Sequence, residues 1–325
     1  MNKSDSERIA FKLEKQGYKP AQKIEQADLI VINVCSVRQS AIDRAHSLIK
    51  KCQQLKTKNK KLKTILTGCI LEKDKKIWKE QVDEIWPHID LEIAPKYCSK
   101  TAAYVPIMTG CNNFCSYCVV PYTRGRERSR PAEKIIKQVK ALVKKGYKEI
   151  TLLGQNVNSY SWSMRHGKWK IINFPKLLKL LNEIPGNFQI KFLTSHPKDM
   201  SDELIKTIAQ CEKVSKEIHL PVQSGDNKIL KAMNRGYTAG HYKKLVKKIR
   251  QQIPEAQIST DIIVGFPGET KKQFENTVKL MKEIKFSNAY IACYSPRAGT
   301  AAAKLKDDVP PDEKKRRKRI LMKMI

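Results

Sequence analysis

The sequence predicts an α/β protein: an amino-terminal parallel α/β domain, incomplete at its start, followed by a partial (β/α)6 barrel. Three observations predict it. Apolar runs of strand length alternate with amphipathic segments along most of the chain, and strand alternating with helix means a parallel sheet. The alternation weakens between Trp86 and Lys100, where Pro87 and Pro95 mark a linker. It then resumes for six units, as in an open, three-quarter version of the eight-fold barrel. The expected domains are residues 1–95 and 96–310, with residues 311–325 forming a basic helix.

The elements follow in order. Residues 4–16 read as a helix capped by Ser4 or Asp5, with Ile9, Leu13 and Gln16 on one face and Gly17 ending it. The run from Asp28 to Cys35 reads as a buried strand, and a helix is expected from about Arg38 to Leu55. A second strand from Leu62 to Cys69 and a helix from about Leu71 to Gln81 complete the first domain. Cys35 and Cys69 each close a strand, and ligands of parallel sheets sit beyond those carboxyl ends. Buried cysteine is also a common small core residue, so position alone leaves ligand and core open. This sheet opens on a helix where such sheets open on a strand, so a first strand is expected to be missing before Met1.

In the second domain, strands are expected near 104–108, 149–153, 189–193, 216–220, 257–264 and 288–293. The first helix has Pro131 near its start and Gly146 beyond its end, and turns Ile135, Val139, Leu142 and Val143 inward. A later helix begins at a capping box, Thr270 to Gln273, and carries Phe274, Val278 and Met281 inward.

Lys and Arg number 64 against 32 Asp and Glu, a formal charge of +32. Runs such as Lys56 to Lys63 resemble solvated helix faces, yet an excess this large attracts polyanions, because each phosphate neutralised releases a counterion. Nucleic acid is therefore the expected class of partner. No apolar run approaches the roughly 20 residues that span a bilayer, and the first residues lack the apolar stretch of a signal peptide. A cytoplasmic protein with no membrane partner is expected. Nine cysteines, partly clustered, point to metal chemistry in a reducing compartment rather than to disulfides.

The chemistry gathers first at Cys111, Cys115 and Cys118, spaced C-x-x-x-C-x-x-C in a loop opened by Gly110. A structural zinc needs four ligands, and no further Cys or His follows until His166. An iron–sulfur cubane held by three thiolates keeps one iron open for another ligand. Five other loops at strand carboxyl ends also carry polar or glycine-rich residues. Gln155, Asn156 and Asn158 suit a zwitterion, or simply cap a loop. Gly265 and Gly268 allow close approach of a flat ligand, or are turn glycines. Arg297 can clamp a phosphate or carboxylate, or be a surface charge. Structural roles are expected for His196 and His219 and core packing for Cys211 and Cys293, while Cys52 and Cys98 stay unassigned.

The runs CNNFCSYCVVPYTRGRERSR, LLGQNVNSY, HLPVQSG, MNRGY, STDIIVGFPGET and YSPRAGT resemble those of the MiaB-type tRNA methylthiotransferases, members of the radical S-adenosylmethionine (SAM) superfamily. The resemblance implies a radical-SAM barrel with a 4Fe–4S cluster on Cys111, Cys115 and Cys118, whose open iron chelates SAM. Tyr117 would pack near the SAM adenine. SAM would yield a 5′-deoxyadenosyl radical that activates C2–H of N6-isopentenyladenosine next to the anticodon, giving 2-methylthio-N6-isopentenyladenosine. A second 4Fe–4S cluster, the sulfur source, would use Cys35 and Cys69 plus a cysteine whose place precedes Met1, unless Cys52, Cys98 or an outside ligand substitutes. Family members also carry a small RNA-binding β-barrel after the position of Ile325, so a chain truncated at both ends is expected. The implied partners are the tRNA anticodon loop, an electron donor and a sulfur donor, with the protein a monomer. Competing readings are the methylthiotransferases for threonylcarbamoyladenosine tRNA or a ribosomal protein and, from another class, a non-catalytic zinc-containing RNA-binding protein.

Overall fold

The computed structural model describes residues 1–37, 39–166 and 168–325, so Arg38, the expected start of the second helix, lies outside the described residues. The chain divides into two compact units. Unit 1 is Met1–Cys98 with Cys118–Gly125, and unit 2 is Ser99–Tyr117 with Arg126–Ile325.

Unit 1 contains α1 (Asn2–Lys15), β1 (Leu29–Cys35), α2 (Gln39–Lys58), β2 (Lys63–Cys69), α3 (Glu72–Lys79), β3 (Glu84–Ile85) and α4 (Val120–Arg124). Its three strands form a parallel sheet in the order β1-β2-β3. The helix α2 buries Ile42, Ala45, Ile49 and Cys52, spaced three or four residues apart, and this stripe joins Ile32, Val34, Leu66 and Trp78 in one core. Cys52 is thus a core residue. Its thiol lies against Thr64, near the start of β2, while Cys69 ends that strand about 16 Å away at strand rise, so Cys52 does not reach the Cys35–Cys69 pair.

Two expectations change here. The first helix starts at Asn2, and Ser4 and Asp5 are buried inside it rather than capping it. The Ser4 hydroxyl accepts from Arg8 at 2.6 Å and Asp5 pairs with Arg124, so both side chains that look like caps are engaged by arginines. The strand β3 was not expected, because two residues carry no readable period.

Unit 2 begins with β4 (Ala102–Pro106), β5 (Met108–Thr109), β6 (Arg128–Ser129), α5 (Ala132–Lys144), β7 (Glu149–Leu153), β8 (Ser161–His166) and β9 (Lys168–Asn173). It continues with α6 (Phe174–Asn182), β10 (Gln189–Phe192), α7 (Asp202–Gln210), β11 (Glu217–His219), α8 (Asn227–Ala232) and α9 (Ala239–Gln252). The last elements are β12 (Gln257–Val264), α10 (Lys271–Ile284), β13 (Asn288–Cys293) and α11 (Pro311–Met322).

Two parallel ladders, β4-β7-β10 and β11-β12-β13, are joined by a parallel bridge between Ile190 and Val214. The six strands therefore neighbour one another in chain order, which is the sheet of the expected partial barrel. Along β12, Ile258, Thr260, Ile262 and Val264 are buried on one face while Ser259, Asp261 and Ile263 stay half-exposed on the other. The Thr270–Gln273 capping box forms as expected, and Asn173, Ser201, Asp226 and Thr238 cap α6 to α9. The antiparallel hairpin β8–β9 was not anticipated, since its sequence has no apolar alternation strong enough to read.

Candidate metal centre and active-site rim

The cysteine loop leaves β4 through β5 and returns through β6, and these two short strands pair antiparallel, Met108 with Ser129 and Thr109 with Arg128. Gly110 turns at φ +81°, which explains a glycine before Cys111. Phe114 adopts φ +47°, a conformation unfavourable for a bulky residue, and its surroundings enforce it. Arg126 covers its ring at 4.3 Å, and Asn234 donates to the carbonyls of Phe114 and Asn113 at 3.0 and 3.3 Å. The Ser116 amide and hydroxyl donate to the carbonyls of Met233 and Ala232 at 3.0 and 2.7 Å. The loop is thereby fastened to the end of α8.

Cys111 and Cys115 are only 9% and 8% exposed, and Cys118 is half-buried. Burial pushes the Cys111 thiol up, so metal binding there must displace a proton. The Cys115 sulfur lies 3.2 Å from Nη1 of Arg235, a donor fit for a ligating thiolate. Nothing in the run MNRGY by itself gives its arginine a role. An arginine three residues past a helix end looks like a surface charge until the fold buries it.

Among the described residues, no three His, Cys, Asp or Glu side chains stand close enough to hold a single metal ion.

The rim follows from the loops after the remaining strands. Gly154, after β7, would place a Cβ 2.6 Å from Met108, so only glycine lets this loop pack beneath the cysteine loop. Beyond it, the Asn156 amide donates to Asp199 at 2.7 Å, while Oδ1 of Asn156, Oε1 of Gln155 and both amide atoms of Asn158 are buried without a hydrogen-bond partner. Ser195 Oγ, His196 Nε2 and Gln223 Oε1, after β10 and β11, are in the same condition. Native structures rarely leave so many buried polar groups unpaired, which makes this set a candidate for binding a polar ligand.

Burial, with Arg235 and Lys198 adding to it, pushes His196 down to about 2, so its imidazole is neutral. His196 Nδ1 accepts from the Lys198 amide at 3.3 Å, which leaves the proton on Nε2. His219 lies between Ser259 and Asp261 at 3.0 and 3.2 Å, a satisfied histidine on the half-exposed sheet face.

Tyr117 packs with Phe266, Tyr294, Ile229 and Met233, which brings the cysteine loop beside the loop after β12. Gly265 and Gly268 turn at φ +66° and +80°. The space above Gly265 is filled by the aliphatic stem of Lys314, while that above Gly268 is open. Arg297, after β13, is buried, and its carbonyl accepts from the Thr300 hydroxyl at 2.6 Å.

In unit 1, Cys35 and Cys69 are register partners at the carboxyl ends of β1 and β2. Gly68 turns at φ +100°, and a Cβ there would lie 2.4 Å from Asn33 Oδ1 and from the Val34 carbonyl, so glycine sets the approach of the two strand ends. Nε of Arg124 donates to the Cys69 sulfur at 3.1 Å, and its Nη2 donates to Asp5 and Asn2 at 2.6 and 3.1 Å. Burial opposes the charge of Arg124, and Cys69 and Asp5 more than offset it. Two thiols and a cation are thus in place. A cavity of about 750 Å³ in the same unit is lined by Gly68, Ile70, Lys76, Lys79, Trp86 and His88 among others, and neither thiol lines it.

Residues 105–281 match the Radical SAM superfamily, and residues 1–91 match Uncharacterized protein family UPF0004. The tRNA-2-methylthio-N(6)-dimethylallyladenosine synthase of Clostridium novyi is 45% identical over 97% of this chain and 76% of that relative. The chain belongs to this family of radical SAM proteins. A synthase of the same name from Thermoanaerobacter pseudethanolicus is 44% identical over 95% of this chain and 72% of the relative, so the chain is shorter than both. Among solved structures, the radical SAM methyltransferase TsrM from Kitasatospora setae, with tryptophan and a SAM analogue bound, shares the fold. Its TM-score is 0.57 at 13% identity, over 88% of this chain and 64% of that one. Membership brings with it a 4Fe–4S cluster and SAM.

Proposed function

We propose that the chain is a tRNA-2-methylthio-N(6)-dimethylallyladenosine synthase, which places a methylthio group at C2 of N6-isopentenyladenosine beside the anticodon. The observation that carries this reading is the 45% identity to a synthase of that name over 97% of the chain, because it includes the cysteine loop and the rim together.

In this reading Cys111, Cys115 and Cys118 hold the radical SAM cluster. When bound, the cluster and SAM supply one-electron chemistry at a carbon–hydrogen bond, and the protein positions it and keeps water out. The unpartnered atoms of Gln155, Asn156 and Asn158 receive the amino and carboxylate ends of SAM. Tyr117 and the backbone at Gly265 and Gly268 line its adenine, with the open side of Gly268 the closer approach. Arg297 serves the substrate phosphate. Cys35 and Cys69 take two positions of the second cluster, with the third ligand outside this pair. The anticodon loop is single-stranded, so its adenine reaches the barrel mouth at little unstacking cost. No described helix is long and apolar enough to cross a membrane. A cytoplasmic monomer served by separate electron and sulfur donors completes the proposal.

Anaerobically reconstituted protein, given SAM, reductant and sulfide as sulfur donor, is expected to modify tRNA that carries the isopentenyl group and to leave unprenylated tRNA unchanged. Modification of threonylcarbamoyladenosine tRNA or of a protein alone would overturn the choice of substrate. Zinc without iron or acid-labile sulfide would overturn the reading of the cluster.

A further inference from the structure

We propose that Arg235 is a positioning residue for the radical SAM cluster: its buried guanidinium pairs with the Cys115 thiolate and raises the potential at which the cluster accepts an electron.

Arg235 is 5% exposed. Each of its three nitrogens is engaged: Nε donates to the Tyr237 hydroxyl at 2.9 Å, Nη2 to the Pro221 carbonyl at 2.9 Å, and Nη1 faces Cys115 Sγ at 3.2 Å and the Tyr117 hydroxyl at 3.4 Å. Among the described residues no carboxylate is its hydrogen-bond or ion-pair partner. A buried cation without a counter-charge is costly, several kcal/mol even after relaxation. A thiolate is the form of cysteine that ligates iron, so a ligating Cys115 supplies the counter-charge that faces Nη1 of Arg235 at 3.2 Å.

The site also holds the arginine rigidly. Tyr237 donates to the Val222 carbonyl at 2.9 Å and packs edge-on against His196 at 5.6 Å between ring centres. The neighbouring imidazole is neutral, so it adds no second positive charge. With Arg235 fixed, its field acts at one corner of the cluster. Hydrogen bonds to the sulfurs and net charge are the protein's means of tuning such a potential. A cation stabilises the reduced cluster, which carries one more negative charge, so its removal makes the potential more negative.

The inference rests on Cys111, Cys115 and Cys118 being the cluster ligands. The test uses the full chain, reconstituted anaerobically as wild type, R235K and R235Q. Iron and sulfide content, an EPR-monitored redox titration and a thermal melt are recorded without tRNA. In R235Q the ratio of reduced to oxidised cluster at a fixed potential is expected to fall about tenfold, equivalent to ~59 mV for one electron. R235K keeps the charge and is expected to recover at least half of that loss. Loss of the cluster from folded R235Q alone also supports the proposal. Equal potentials in all three proteins, or the same shift in R235K as in R235Q, overturn it, as does loss of the cluster from both folded variants. If R235Q does not fold, R235M takes its place as the uncharged variant: a fall of about tenfold in the ratio supports the proposal, and an unchanged ratio overturns it. Wild-type chain that binds no iron sinks the ligand assignment itself, which is a distinguishable failure.

Discussion

His196 shows how a single side chain couples the rim to pH. The native state keeps it neutral down to about 2, with burial the main cause, while in the unfolded chain it titrates near the ordinary value of 6.5. Between those values the unfolded state binds one more proton than the native state, so stability falls as pH drops below 6.5. The slope is about 1.4 kcal/mol per pH unit from this residue. Urea unfolding of H196Q between pH 6 and pH 4 should lose that one-proton slope. An unchanged slope would mean that the imidazole is already protonated in the folded protein. The serine–histidine–proline run was visible in the sequence, whereas the burial that gives it this property was not.

The clearest case at the scale of an element is α11. Its sequence reads as a basic helix, with Lys or Arg at every position from Lys314 to Arg319. The fold nevertheless buries Arg317, which bonds Glu269 at 2.6 Å; both side chains are almost fully buried. Glu269 in turn accepts from the Gly265 amide at 2.6 Å, which ties this helix to the loop proposed to face the SAM adenine. Removing one member of a buried pair strands the other charge, at a cost of about 3–5 kcal/mol. R317Q should therefore lower stability by that order in urea and weaken SAM binding, read by equilibrium dialysis. The double variant R317Q/E269Q should regain much of the stability. If R317Q alone were neutral, α11 would be no part of the folded unit. The capping box at Thr270 and the burial of Phe274 and Met281 were readable beforehand because they are local; Val278, also expected inward, is only half-buried, with Thr277 buried instead, and the pairing of Arg317 with Glu269 spans 48 residues.

At the scale of the whole molecule, the charge of +32 sets how nucleic acid binds. Binding dominated by phosphate contacts weakens with salt, with a slope of about −0.9 in log–log form for each duplex phosphate neutralised and about −0.7 for each single-stranded one. An anticodon stem–loop titrated at several salt concentrations should give a slope steeper than about −3. A slope near zero would remove nucleic acid as the charge-selected partner. This property needs no fold to be read, since it depends on composition alone.

The sequence by itself determined the order of the elements, the six-strand sheet of unit 2, the cysteine loop at the end of its first strand, and the kinship that identifies the family. These are carried by local periodicity and by residue spacing along the chain. Only the tertiary structure decided that Arg235 and Arg124 each place a buried guanidinium against a cysteine. It also decided that Ser4 and Asp5 serve arginines rather than a helix cap, and that Cys52 belongs to the core. In each case the deciding quantity is burial against a partner from a distant segment. A charge, a thiol or a hydroxyl has its ordinary chemistry on the page and acquires another once folding removes water and supplies a specific neighbour.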